Sequence, residues 1–175
     1  GASSWGARPT RFAKRIWERP VVDVDRAAAA SPRVGEWFER MWRPKVLVAS
    51  QTRVTEAVAD HEGGWLPGVP AIALLPQEAA EAARVTAGVC APPVAAWAAR
   101  RASGTGLSAD SIRVSSALLL EIPLPPDASA LDRATEFLVS GDLDAYGGMA
   151  TEMYHLAPDI ADDITTWWSA ARRRR

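Results

Sequence analysis

Cysteine and histidine are scarce in this sequence, which has one cysteine and two histidines among 175 residues. The single Cys90 excludes an internal disulfide and any zinc site built on several cysteines. One histidine, His61, stands between two acids in the segment Asp60–Gly64, which we predict to be a hairpin turn. Neighbouring residues of an extended turn cannot all face one ion, so we predict no metal or acid–base site there.

Long apolar runs and export signals are also lacking. No stretch is long and apolar enough to span a bilayer, and no segment has the pattern of a secretory signal peptide. We therefore expect a cytoplasmic protein with no membrane partner. The loop Gly104-Thr105-Gly106 lacks the Gly-Lys-Ser/Thr ending of a Walker loop, and no Ser-His-Asp set is visible.

Charge is nearly balanced over the whole chain, with a net value of −1, but it is unevenly distributed. Residues 1–53 contain 11 Lys and Arg against 5 Asp and Glu, whereas residues 120–166 contain 10 acids against one arginine. A chain that is basic at one end suits a protein that presents one face to a polyanion. The alternative, that two oppositely charged halves simply neutralise each other, stays open.

The apolar runs that do occur, together with the proline and glycine positions, predict an α+β fold. We expect a small mixed sheet with packed helices, followed by a helical C-terminal segment of about three helices. The predicted strands are 46–49, 71–75 and 118–124, with a strand-like alternation at 21–25. The predicted helices before residue 126 are 31–42, 76–88 and one from Pro92. We predict three parts: a domain over 1–126, an acidic helical segment over 127–171 and a basic tail over 172–175.

Residues 8–19 carry several cations close to the apolar residues Ile16 and Trp17. This pattern predicts a short amphipathic helix with a basic face, or an extended arm that orders on contact. The cations, which include Arg11 and Lys14, suit phosphate contact, but an ordinary solvated face has the same composition.

Two polar segments are the candidate binding loops. Arg100 and Arg101 end a predicted helix just before a loop that runs from Ser103 to Gly106, which brings cations and exposed backbone N–H groups together as phosphate sites require. The other loop, Ser50–Arg53, follows a predicted strand. Its Gln and Arg side chains are types that read adenine and guanine edges, although polar loops that merely end a strand are also common.

A resemblance accompanies these loops. The segments RPKVLVASQTRV (43–54), GGWLPGVPAIALLP (63–76), PVAAWAARRASGTGLS (93–108) and LLLEIPLP (118–125) occur in that order. Together they resemble the target-recognition region that follows the methyl-transferring domain in N-6 adenine-specific DNA methyltransferases, including Type I modification subunits. Where that family has a Leu-Asn-Ser-Pro phrase, this chain reads Val89-Cys90-Ala91-Pro92-Pro93.

The resemblance implies a DNA specificity domain of the restriction-modification or phage-defence type, with double-stranded DNA and a methyltransferase catalytic domain or other subunit as partners. The glycine loop and the Asn-Pro-Pro-Tyr-like motif of the catalytic domain are missing from this chain. We therefore expect no cofactor here, and S-adenosylmethionine only on a linked or partner domain. The predicted DNA-binding residues are Gln51, Thr52, Arg53, Arg100, Arg101, Gly104, Thr105, Gly106, Ser108 and Arg113.

Two other functions remain open on the sequence. The acidic, Trp-containing C-terminal helices could form a protein-interaction module that binds a partner subunit without DNA contact. A small stand-alone enzyme of unrecognised type is the other alternative, although no catalytic residue is predicted.

Overall fold

The structure, a computed structural model, describes residues 2–4, 9–18, 21–108 and 111–173. It has the α+β class that the sequence predicts: the described residues form helices, one three-stranded antiparallel sheet and three two-stranded antiparallel sheets. The chain divides into two compact units, Gly1–Arg43 and Pro44–Arg175.

The first unit combines short strands with a pair of helices. Its described elements are β1 (Ala2–Ser4), β2 (Thr10–Phe12), β3 (Arg15–Trp17), β4 (Val21–Asp23), α1 (Val24–Ala30) and α2 (Pro32–Met41). Asp23 begins α1 by accepting a hydrogen bond from the Arg26 backbone N–H, and Pro32 occupies the first turn of α2, where its missing N–H costs nothing. The helix predicted after Ser31 is therefore confirmed.

Residues 10–17 form an antiparallel hairpin, β2–β3, so the predicted amphipathic helix is wrong. The backbone is extended, as in the alternative, and its ordering on contact stays a prediction. The turn consists of Ala13 and Lys14, whose φ angles are 50° and 64°. Ile16 and Trp17 are β-branched and aromatic residues, which favour a strand over a helix. Arg8, at the start of the predicted basic segment, lies outside the described residues.

The second unit contains the larger sheet and most of the helices. Its described elements are β5 (Lys45–Ala49), β6 (Gln51–Thr52), β7 (Ala57–Asp60), β8 (Ala71–Leu74), α3 (Ala82–Cys90), α4 (Pro92–Arg101), β9 (Ile112–Arg113), α5 (Ser116–Leu120), α6 (Ala128–Ser140), α7 (Leu143–Glu152) and α8 (Pro158–Arg173). A short 3₁₀ turn, Ala79–Glu81, precedes α3.

Strand β5 is the centre of a three-stranded antiparallel sheet of order β7–β5–β8. Val46 and Val48 are fully buried in a core that they share with residues of α3 and α4. The strands predicted at 46–49 and 71–75 are therefore confirmed. The hairpin turn predicted at Asp60–Gly64 is wrong, because β7 and β8 lie on opposite sides of β5 and are joined by a longer connection.

The leucines that follow Ser115 form a helix, α5, and the strand predicted at 118–124 is wrong. The Ser115 side chain accepts a hydrogen bond from the Leu118 backbone N–H and so begins the helix. Leu119 points into the core, whereas Leu120 and Leu124 are largely exposed. An apolar run fits a strand as well as a helix. Here the helix forms because leucine is a strong helix former and Ser115 caps its first turn.

The three C-terminal helices predicted after Pro126 are present as α6, α7 and α8. They share one hydrophobic core with α3 and α4, which includes Val94, Tyr146 and Trp168. The Tyr146 hydroxyl donates a 2.7 Å hydrogen bond to the Ala87 carbonyl in the last turn of α3, where a helix leaves its carbonyls unpaired. Arg172 and Arg173 of the predicted tail belong to α8, and the boundary at residue 126 stays a prediction.

Candidate nucleic-acid interface

The two predicted binding loops meet through a small strand pair. β6 and β9 are antiparallel, with Gln51 opposite Arg113 and Thr52 opposite Ile112. The backbone N–H of Val114 also donates a 2.9 Å hydrogen bond to the carbonyl of Ser50. Residues that lie far apart in the sequence therefore share one short ladder. The buried side chains of Ile112 and Val114 anchor this ladder in the core.

Thr105 links this ladder to the end of α4. Its hydroxyl donates a 2.6 Å hydrogen bond to the carbonyl of Ala102 and accepts a 3.1 Å hydrogen bond from the backbone N–H of Arg113. The backbone N–H of Thr105 donates to the same Ala102 carbonyl. In this conformation the hydroxyl of Thr105 therefore fixes the loop, and its hydrogen atom is directed at the protein.

The glycines beside Thr105 shape the loop in two different ways. Gly104 has a φ of +77°, a conformation that residues with a Cβ adopt only at a cost. A Cβ on Gly106 would overlap the carbonyl group of Ser111, so only glycine allows the two backbones to approach. The Ser111 hydroxyl accepts from the Ser108 backbone N–H at 3.0 Å and donates to the Ser108 carbonyl at 3.2 Å.

Arg100 and Arg101 lie in the last turn of α4, where cations also interact favourably with the helix dipole. The Arg101 guanidinium forms an ion pair with the Glu121 carboxylate and lies over the Trp97 ring, 5.6 Å from its centroid. Both charged side chains of this pair are about half exposed, at 53% and 52%. Arg101 is therefore held in a defined orientation, yet it remains open to water.

The predicted residues differ in how available they are. Gln51, Arg100 and Arg113 are exposed, and none of their side chains has a hydrogen bond or ion pair with another residue in the described ranges. The Thr52 hydroxyl donates to the Val54 carbonyl at 2.7 Å. Arg53 is half-buried and, like Ser108, has further interactions within the protein.

Sequence reasoning missed two residues of this surface. The sequence predicts Glu121 within an apolar strand, and only the helical conformation of the preceding leucines brings its carboxylate to Arg101. Ser111 was one hydroxyl among several, and no local pattern showed that it would pack against Gly106. The spacing from Ser108 to Ser111, three residues, is the signal that could have predicted the serine-closed turn.

Other kinds of site receive no support from the geometry. Within the described ranges, no three His, Cys, Asp or Glu side chains come together in a way that could hold a metal ion. Cys90 is buried, its sulfur accepts a 3.2 Å hydrogen bond from the Ala57 backbone N–H, and burial raises the pKa of its thiol to about 12. The thiol is therefore protonated at neutral pH and unreactive.

The remaining observations concern membranes and related proteins. None of the helices in the described part of the chain combines the length and the apolar character needed to cross a membrane. Comparison of the chain with protein-family models, with curated proteins and with solved structures found no match.

Proposed function

We propose that this chain is a DNA target-recognition module of an N-6 adenine-specific DNA methyltransferase of the restriction-modification or phage-defence type. The observation that carries the proposal is the β6–β9 ladder, which sets Gln51 directly opposite Arg113. These two exposed side chains match the two commonest bidentate base contacts, glutamine to adenine and arginine to guanine. In this proposal double-stranded DNA is the ligand and the protein acts in the cytoplasm.

The surrounding residues support a proposal in which some side chains contact phosphates and others contact bases. Arg100 and Arg101 end α4 just before the loop that Thr105 ties to Arg113. The two cations would hold the DNA backbone and so set the register of the duplex, while Gln51 and Arg113 would discriminate bases. Each correct bidentate base contact would contribute about 1–3 kcal/mol of discrimination.

Thr52, Arg53, Ser108 and the Gly104–Gly106 loop have supporting roles in this proposal. The first three take part in interactions within the protein, so they would shape the surface before they contact DNA. Gly104 leaves open space where a side chain would lie, which would let a phosphate approach the loop backbone closely, whereas Gly106 packs against Ser111 and would keep the loop in shape.

S-adenosylmethionine would be held by another part of the enzyme. The glycine loop of this chain follows a helix, α4, whereas glycine loops that hold nucleotide-like cofactors follow the first strand of a βαβ unit. This position of the loop supports the proposal that this chain does not hold the cofactor. A linked catalytic domain or a partner subunit would supply it, and this module would select the sequence presented for methylation.

The test is selection of DNA duplexes from a randomised pool, followed by anisotropy measurements on the enriched duplex. We expect the parent chain to enrich a defined sequence, and Gln51→Ala and Arg113→Ala to lose about 5-fold to 150-fold in discrimination at separate positions. Arg133→Ala is the matched control, because Arg133 is an exposed arginine on α6 away from the ladder. Absence of any enriched sequence, or equal losses with Arg133→Ala, would contradict the proposal.

A second candidate function, binding of a partner protein, is favoured by one face of α8. Ile160 and Trp167 are spaced seven residues apart, so they lie on the same face of this helix, and both are exposed, at 49% and 38%. The exposed acids Asp159 and Asp163 flank them. Co-purification with a methyltransferase subunit that is lost in Ile160→Ser with Trp167→Ser, without loss of DNA selection, would identify this face as the subunit contact.

A further inference from the structure

The hairpin β2–β3 belongs to the first unit of the chain. Its residues Arg11 and Ala13–Trp17 are all exposed, and neither strand packs extensively against another described element. An isolated two-stranded hairpin is only marginally stable in water, and it usually needs a further strand or a packing surface. The exposed cations of this hairpin could therefore contact a ligand, and that ligand would add a packing surface to the two strands.

Charge indicates the chemistry of that ligand. Residues 9–17 contain three cations, Arg11, Lys14 and Arg15, and no acid. Lys14 sits at the tip of the hairpin, and the two arginines lie on either side of the turn. Three positive charges and no acid within these nine residues favour a polyanion as the ligand.

The register shows that both faces of the hairpin are cationic. Arg11 is paired with Ile16, so these two side chains project from one face. Side chains alternate along a strand, which places Arg15 with Trp17 on the opposite face. Neither face is purely apolar, as insertion into a bilayer would require. A DNA groove, by contrast, has phosphates on both walls.

We infer that the β2–β3 hairpin is a phosphate-binding arm that enters a groove of double-stranded DNA, with Arg11 and Arg15 directed at opposite walls and Lys14 at the tip. Two paired strands lie about 4.8 Å apart, which is narrow enough for a major groove about 12 Å wide. The choice of DNA over other polyanions rests on the proposed function. The arm would add affinity for any sequence, whereas Gln51 and Arg113 would select among sequences.

The turn allows charge to be separated from hairpin stability. Ala13 and Lys14 both have positive φ, the geometry of a two-residue hairpin turn in which Asn-Gly is strongly preferred. Ala13→Asn with Lys14→Gly therefore stabilises the hairpin and removes one cation. Ala13→Asn alone, in the same full-length chain, keeps the cation and is the matched control. Arg11→Gln with Arg15→Gln removes the two flanking charges.

The experiment is fluorescence-anisotropy titration of a random duplex at several salt concentrations. For Arg11→Gln with Arg15→Gln we expect the slope of log K against log salt to fall by about 1.8, since each lost phosphate contact lowers it by about 0.9. The Ala13→Asn, Lys14→Gly variant should lose about half that amount, and Ala13→Asn none. Arg33→Gln with Arg40→Gln, two exposed cations of α2, controls for net charge.

The outcomes separate the arm from the recognition surface. Unchanged slopes in the hairpin variants, with discrimination still lost in Arg113→Ala, would overturn the arm and leave the proposed function standing. Lower slopes in the hairpin variants, with Arg113→Ala unchanged, would support the arm and count against the proposed base-reading surface. Hairpin-dependent binding to vesicles that contain phosphatidylserine, without binding to the duplex, would overturn the arm in favour of a membrane contact.

Discussion

Lys45 and Asp60 face each other across the β5–β7 ladder, and the Lys45 ammonium donates a 2.5 Å hydrogen bond to the Asp60 carboxylate. Their side chains are 0% and 4% exposed, so this ion pair is almost completely removed from water. The carboxylate also accepts backbone N–H groups from Gly64 and Trp65, at 3.2 and 2.9 Å. One buried pair thus fixes both the register of the sheet and the start of the connection to β8.

Removal of one partner should therefore be costly. Lys45→Met leaves a buried carboxylate without its counter-charge, and we expect the free energy of unfolding to fall by about 3–5 kcal/mol. Arg84→Met is the matched control. Its ion pair with Asp132 is 41% and 63% exposed, and the loss of such a surface pair costs about 1 kcal/mol or less. Urea unfolding of both variants measures the difference, and equal losses would contradict the burial argument.

The same ion pair predicts how the free energy of unfolding decreases at acid pH. Burial alone raises the pKa of Asp60, but the hydrogen bond and charge of Lys45 and the N–H groups of Trp65 and Gly64 lower it below 3.8 overall. Because the folded pKa is the lower one, Asp60 stabilises the fold above about pH 4, and this contribution is lost as the pH falls from there through the folded value. Urea midpoints between about pH 7 and about pH 3 should fall more steeply for the parent than for Asp60→Asn.

Local signals accounted for much of the fold. The strand at 46–49 is an unbroken β-branched and leucine run, and the helix from Pro92 begins with a residue that suits a first turn. The buried Lys45–Asp60 pair was not predictable, because neither residue shows its partner in the sequence. The strand predicted at 118–124 is wrong because an apolar run fits a helix as well as a strand. The cap formed by Ser115 favours the helix.

The candidate interface was predicted in its residues but not in its assembly. Composition drew attention to the loops around Gln51 and Thr105. Their connection depends on a ladder of two residue pairs, too short to leave a periodic pattern, and on the Thr105 hydroxyl between them. The role of Glu121 depends on a helix that the sequence did not predict, so the ion pair with Arg101 was also missed.

Glu121 should weaken the binding of DNA, because its carboxylate occupies the guanidinium of Arg101. We expect Glu121→Ala to raise the affinity for random duplex by about 3-fold to 10-fold at low salt and to steepen the salt dependence, since Arg101 becomes free for a phosphate. Glu136→Ala, which removes one exposed acid from α6, controls for the change in net charge. Equal gains in the two variants would show a long-range charge effect in place of competition for Arg101.

Glycine is required at position 106 because two backbone segments approach closely there. A substitution of Gly106 should therefore destabilise the β6–β9 ladder. Gly106→Ala places a methyl group against the Ser111 carbonyl, so we expect a loss of about 1–3 kcal/mol in the free energy of unfolding and faster amide exchange at Arg113. Gly148→Ala in α7 meets open space and should stabilise the chain by about 0.5–1 kcal/mol. Hydrogen exchange and urea unfolding test both, and an unaffected Arg113 amide would count against the predicted strain.

The hydrogen bond from Tyr146 to Ala87 determines where a chimaera of this chain could be joined. A cut after Pro126 would remove the helices that pack with α3 and α4 around Val94. It would also remove the Tyr146 hydroxyl that donates a hydrogen bond to the Ala87 carbonyl. A graft that carried only the loops proposed to contact DNA would thus expose apolar surface and promote aggregation. If the proposed function holds, transfer of the DNA specificity to another protein would require residues 44–173 to be transplanted as one piece.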